Sequence, residues 1–143
     1  RSYAFRQLVF RDSTTYKISK KFNLFITGYI KQSEQGDFKW NSFKSKPQRF
    51  LEETYLEPKL FFDNRGLVLG IGIRFFELST FNVINGIEKQ KLSVYKSIGP
   101  VSEINLELTN SFSLKTYGWY EFIDSDNIPR EMVTFNLKFV YKF

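Results

Sequence analysis

Residues 131–143 read EMVTFNLKFVYKF. Val133, Phe135, Leu137, Phe139, Tyr141 and Phe143 fall on one face without a break. Thr134, Asn136, Lys138 and Lys142 occupy the other, where only Val140 is apolar. Side chains of an extended chain point alternately to opposite sides, so this spacing predicts a strand with one apolar and one wet environment.

The same period runs back through the chain. Tyr16, Ile18, Lys20, Phe22, Leu24, Ile26, Gly28 and Ile30 form a mostly apolar face, against a mostly polar one of Lys17, Ser19, Lys21, Asn23, Phe25, Thr27, Tyr29 and Lys31. That stretch far exceeds the usual soluble strand of about 5–6 residues. It covers the roughly 9–11 residues that a tilted membrane strand requires. Leu67, Leu69, Ile71, Ile73 and Phe75 share a face opposite Gly66, Gly70, Gly72 and Arg74. Ile104, Leu106 and Leu108 alternate with Glu103, Asn105 and Glu107, and Leu56, Leu60 and Phe62 with Tyr55, Glu57 and Lys59. Leu114, Gly118, Tyr120 and Phe122 oppose Lys115, Tyr117, Trp119 and Glu121, with Trp119 blurring the pattern. Tyr3 to Phe10 alternates poorly. Pro58 argues against a helix interior and against a regular central strand. Seven strands are predicted.

Breakers fall into two sets. Asp12–Ser13–Thr14, Asp63 to Gly66 and Asn110 to Ser113 are predicted as tight turns. Gln32 to Gln48, Phe81 to Pro100 and Asp124 to Arg130 are predicted as long connections. Asn85–Gly86 is a hairpin signal in the middle one. The Leu92, Val94 and Tyr95 segment is expected to form a small projecting hairpin or an eighth strand. Short turns on one side and long connections on the other are the habit of outer-membrane barrels.

Composition narrows the chemistry. The 143 residues include 17 Phe and 8 Tyr, no Cys and no His, with a net charge of +6. The chain is too apolar and aromatic for disorder. Without Cys there is no disulfide or thiolate metal site, and without His the commonest general base and metal ligand are missing. No apolar run approaches the roughly 20 residues of a transmembrane helix. The positive charge suits an anionic surface, and serves solubility equally well.

The terminal strand resembles the C-terminal signature of bacterial outer-membrane β-barrel proteins: alternating apolar positions that end on an aromatic residue, here Phe135, Leu137, Phe139, Tyr141 and Phe143. The close match covers Glu131 to Phe143. The resemblance implies an assembly signal read by the barrel-assembly machinery, contact with outer-membrane lipid and lipopolysaccharide, and location in the bacterial outer membrane. Lipid A deacylases, phospholipases and omptin-type proteases share that architecture but rely on His, so their chemistry does not carry over to this chain.

Two polar groupings are candidate sites. Glu53, Tyr55, Glu57 and Lys59 share one strand face, and Arg74 lies on the polar face of the next strand. They form either a lumenal acid–base cluster or, preferred here, an internal salt-bridge lattice. Small barrels of about eight strands are just filled by side chains. Lys39, Trp40, Lys44, Lys46 and Arg49, with Phe38 and Phe43, are candidates for an aromatic girdle first. Lipopolysaccharide or rim contact ranks second and single-stranded nucleic acid a distant third. Asp124 and Asp126 are too few for a calcium loop.

The predicted fold is all-β: an antiparallel up-and-down transmembrane β-barrel of about eight strands, or the C-terminal part of a larger barrel. Residues 1–143 form one domain. The opening Arg1–Ser2–Tyr3 lacks an initiator Met, and an upstream strand is expected. The expected function is non-enzymatic, with no cofactor and no metal: a membrane anchor, a structural element or a porin-like partner-binding or transport component. The alternative is a soluble lipocalin-like barrel binding an apolar ligand, in which the apolar faces would point inward.

Overall fold

The computed structural model describes residues 2–84 and 88–141. Every regular element in this part is a strand: β1 (Ser2–Lys17), β2 (Phe22–Lys39), β3 (Lys44–Asn64), β4 (Leu67–Ile84), β5 (Glu88–Glu107), β6 (Phe112–Ser125) and β7 (Ile128–Tyr141). They form one antiparallel sheet in the order β1-β2-β3-β4-β5-β6-β7. Seven up-and-down strands thus agree with the alternation. β1 and β7 are the sheet's two edges, and no ladder joins them among the described residues. Phe143, Lys142 and the Asn85–Gly86 dipeptide lie outside the described residues.

Three sequence expectations are corrected. The stretch from Tyr16 to Ile30 is not one strand, because the chain turns at residues 18–21. There the Ser19 hydroxyl accepts hydrogen bonds from the Lys21 and Phe22 amides, and the Ile18 amide donates to the Phe22 carbonyl. A Ser side chain competing for backbone donors is a turn device that alternation does not reveal. Asp12–Ser13–Thr14 is instead inside β1, paired with Gly28, Thr27 and Ile26. The long connections are also not loops. β2 and β3 stay paired out to Lys39 and Lys44, and β4 and β5 out to Ile84 and Glu88. The Leu92 segment is therefore part of β5, beside a register shift at Thr80/Phe81. In these arms polar residues sit on both faces, so the period-two signal fades while the backbone ladder continues.

Pro58 does occupy an inner strand. It pairs with Ile26 on the β2 side, but the β3–β4 ladder skips from Leu56 to Lys59. The missing proline N–H falls where no partner is used. Gly72 makes this possible by close approach: a Cβ there would stand 2.2 Å from the Pro58 carbonyl oxygen.

The sheet has one apolar and one polar face. Leu24, Leu60, Ile71, Ser102, Gly118 and Phe135 lie side by side across β2–β7, and so do Phe22, Phe62, Leu69, Ile104, Thr116 and Leu137. This apolar face is open: Ile71 is 65% exposed and Phe135 66%. On β1 the same face is mixed: exposed Tyr16 lies beside Leu24 and Phe10 beside Ile30, and between them stand Asp12 and Thr14, hydrogen-bonded to each other at 3.0 Å. The band stops one row beyond Phe75 and Ile98, at Glu77, Lys96 and Asp124, where Lys96 and Glu77 pair at 3.6 Å. From Leu67 to Phe75 the band is roughly 26 Å long at ~3.3 Å per residue.

Candidate functional site

The opposite face is where side chains converge. The alternation of β3 sends Tyr55, Glu57 and Lys59 to it; on the same face of β4 lie Phe76 opposite Tyr55, Gly72 opposite Lys59, Gly70 opposite Phe61, and Arg74 between Gly72 and Phe76. Two glycines leave room for long neighbours. Glu57 is the hub. Its Oε2 accepts from the Tyr55 hydroxyl at 2.7 Å, Arg74 Nε at 2.9 Å and the Tyr117 hydroxyl at 3.0 Å. Its Oε1 lies 3.1 Å from Lys59 Nζ. Lys59 also donates to Glu103 at 3.1 Å, and Arg74 Nη2 donates to the Tyr117 hydroxyl. The Arg74 guanidinium stacks 4.4 Å from the Trp119 ring centroid.

These contacts link β3 to β5 and β6. Strands lie about 4.8 Å apart, so β3 and β6 are roughly 14 Å apart in a flat sheet. Only long side chains on a face that is filled can meet across that distance. Glu57 is 4% exposed and Lys59 is buried. Burying charge is tolerable here because two carboxylates, Glu57 and Glu103, match two cations, Lys59 and Arg74, and each carries hydrogen bonds.

Of the five residues expected in this cluster, Tyr55, Glu57, Lys59 and Arg74 are brought together. Glu53 stands apart, paired with Lys31 at 2.6 Å beneath the stacked Tyr29–Tyr55 rings. Tyr117, Trp119 and Glu103 also join the cluster; alternation places them on the polar row but does not mark them as its members. Trp119 blurs the alternation of β6, yet its ring is the platform under Arg74.

Glu57 thus turns Oε2 to three donors and Oε1 to Lys59. Glu121 is buried as well and accepts from the buried Ser97 hydroxyl at 3.2 Å. No group of His, Cys, Asp or Glu that could hold a metal occurs among the described residues.

Lys39, Trp40, Lys44, Lys46 and Arg49 are exposed at and near the tip of the β2–β3 arm. Phe38 packs edge-on against Trp40 at 5.0 Å and Phe43 at 6.5 Å. From Gly28, at the band's edge, to Lys39 the strand climbs roughly 36 Å at ~3.3 Å per residue. These residues are therefore remote from the band's rim. Aromatic residues do gather at its other end: Phe22 with Phe62 at 5.2 Å, and Phe112 stacked on Phe139 at 5.9 Å. A groove of about 800 Å³ crosses the apolar face over Ser102 and Gly118, between Ile71 and Phe135. It does not open on the polar cluster.

Family models, curated proteins and solved structures offer no match to this chain.

Proposed function

We propose that the chain forms the wall of a transmembrane β-barrel in a bacterial outer membrane. Its polar face is turned to the lumen and its apolar face to lipid, and it serves as a non-enzymatic anchoring and structural element. The observation that carries this reading is the distribution of burial. Among the described residues, the buried polar side chains are Ser33, Glu57, Lys59, Ser79, Ser97 and Glu121, against one buried hydrophobic, Val101. A water-soluble domain buries its apolar face instead. Here an exposed apolar band continues across six strands, and its run along β4 from Leu67 to Phe75 fits the roughly 9–11 residues of a tilted membrane strand. Its aromatic end suits an interfacial girdle. The terminal strand signature favours the outer membrane. A lumen filled by the Glu57 lattice suits an anchor better than a pore.

The groove on the apolar face favours a second reading, a carrier of an apolar ligand, since apolar concavities are the usual ligand sites. That reading requires Ile71 and Phe135 to line an interior and the buried Glu57 lattice to face water. One experiment separates the two: expression in a Gram-negative host, membrane fractionation, and electrophoresis with and without heating. The barrel reading expects detergent-dependent extraction and heat-modifiable mobility, both lost on deletion of Phe143. A protein that is folded and soluble without detergent would overturn it.

A further inference from the structure

The two ends of the apolar band differ in charge. At the long-arm end Glu77, Lys96 and Asp124 close it, and Glu131 lies beside Phe122 on β7. Carboxylates outnumber cations there, and Lys96 is already paired with Glu77. The short-turn end is the reverse. Lys17 ends β1, Lys20 and Lys21 lie in the turn to β2, and Arg65 lies in the turn from β3 to β4. All four are exposed, and none has an ion pair among the described residues. The carboxylates beside them are Asp63 and Glu107, at the ends of β3 and β5.

These cations share one surface. The Asp63 amide donates to the Lys21 carbonyl at 2.8 Å, which ties the two turns together. Lys21 Nζ lies 6.0 Å from the Phe62 ring centroid, and exposed Tyr16 and Phe22 flank the first turn. The charges therefore stand at the aromatic end of the band. Arg65 is not explained by its turn. It has φ 42° and Gly66 has φ 84°, and a two-residue turn with both residues left-handed favours Asn–Gly. A long cation in the first position carries backbone strain that Asn or Gly would relieve.

We infer that the short-turn end seats on anionic phospholipid headgroups, with Lys20, Lys21 and Arg65 meeting their phosphates and the adjoining aromatic rings lying at the boundary with the acyl chains. This rests on the barrel reading and adds to it a lipid class and the end of the band that binds it. Aromatic rings settle at headgroup level. Basic residues close to an anionic leaflet are drawn to it, each favouring the bound state about fivefold. The acidic long-arm end gains nothing from the same lipid. The lysines at the β2–β3 tip stand roughly 36 Å along the strand from the band, well past the ~10 Å reach of surface charge at 0.1 M salt.

The test is folding of the full chain into vesicles of phosphatidylcholine alone, or mixed with phosphatidylglycerol, with urea titration at low salt. The expected result is a folding constant larger in the anionic vesicles by on the order of a hundredfold, from three cations at about fivefold each. The preference should vanish at 1 M salt, where screening acts within about 3 Å. It should also vanish in the triple variant Lys20→Gln, Lys21→Gln, Arg65→Gln, and persist in Lys44→Gln, Lys46→Gln at the arm tip. If the triple variant folds in neither lipid, Lys20→Gln alone should lose about fivefold of the preference. Equal folding of the unmodified chain in both lipids overturns the inference, and so does a preference that survives the turn substitutions. A chain that folds without lipid or detergent instead overturns the barrel reading, so the two failures are distinguishable.

Discussion

β3 and β7 are opposites. β7 has the cleanest alternation in the sequence and β3 one of the least regular, interrupted by Pro58 and crowded with charge. Yet β3 holds the centre of the packed polar face, with Glu57 at 4% exposure. β7 is exposed on nearly every residue and leaves Lys138 facing Lys115. Alternation reports that a strand has two different environments. It does not report whether either is satisfied. In β3 the polar side is completed by residues from β4, β5 and β6. In β7 it is not, because no described strand pairs with its far edge.

Substitutions can break this contrast. The largest effect is expected from Glu57→Ala, which leaves Lys59, Arg74 and two tyrosine hydroxyls without their shared acceptor. Removing one partner of a buried ion pair costs about 3–5 kcal/mol. Guanidinium unfolding in detergent, followed by loss of heat-modifiable mobility, would measure it. Glu57→Gln keeps an acceptor and should lose less.

Ile71→Arg comes next. On a lipid-facing position near mid-bilayer it should cost about 2–4 kcal/mol, read as weaker folding into vesicles. If it is neutral, the apolar face does not meet lipid. Trp119→Leu removes the platform beneath Arg74 and should cost up to about 2 kcal/mol, the range of a desolvated cation–π contact. A loss in the unfolding midpoint that disappears in an Arg74→Met background would assign it to that pair. The smallest effect is expected from Lys138→Gln in residues 1–143. Relieving a like-charge pair gives about 0.2–1 kcal/mol of stabilisation, shrinking as salt screens the pair. A large destabilisation there would mean that Lys138 already has a partner.

Much of this was legible in the residues. Every strand with an apolar side at band height could be read from period two, and so could the shared face of Tyr55, Glu57 and Lys59. The arms were not legible. Between Gln32 and Gln48 both faces are polar, so no contrast marks the strand, although pairing continues to Lys39 and Lys44. The turn at Ser19 left one mark, Lys20, which interrupts the apolar row of Tyr16, Ile18, Phe22 and Leu24, and one charge in a long row does not by itself end a strand. Within the site, Tyr117 and Glu103 were recognisable only as polar-row residues. Their meeting with Glu57 and Lys59 depends on strand order and register, and no local spacing encodes that.

The most direct test of which face meets lipid is quenching of single-cysteine fluorophores by bromine-labelled acyl chains, in a protein with no cysteine of its own. Probes at Ile71→Cys and Phe135→Cys should be quenched strongly in vesicles, and a probe at Tyr55→Cys weakly. Strong quenching at Tyr55→Cys with none at Ile71→Cys would contradict the account, and so would the absence of quenching at all three.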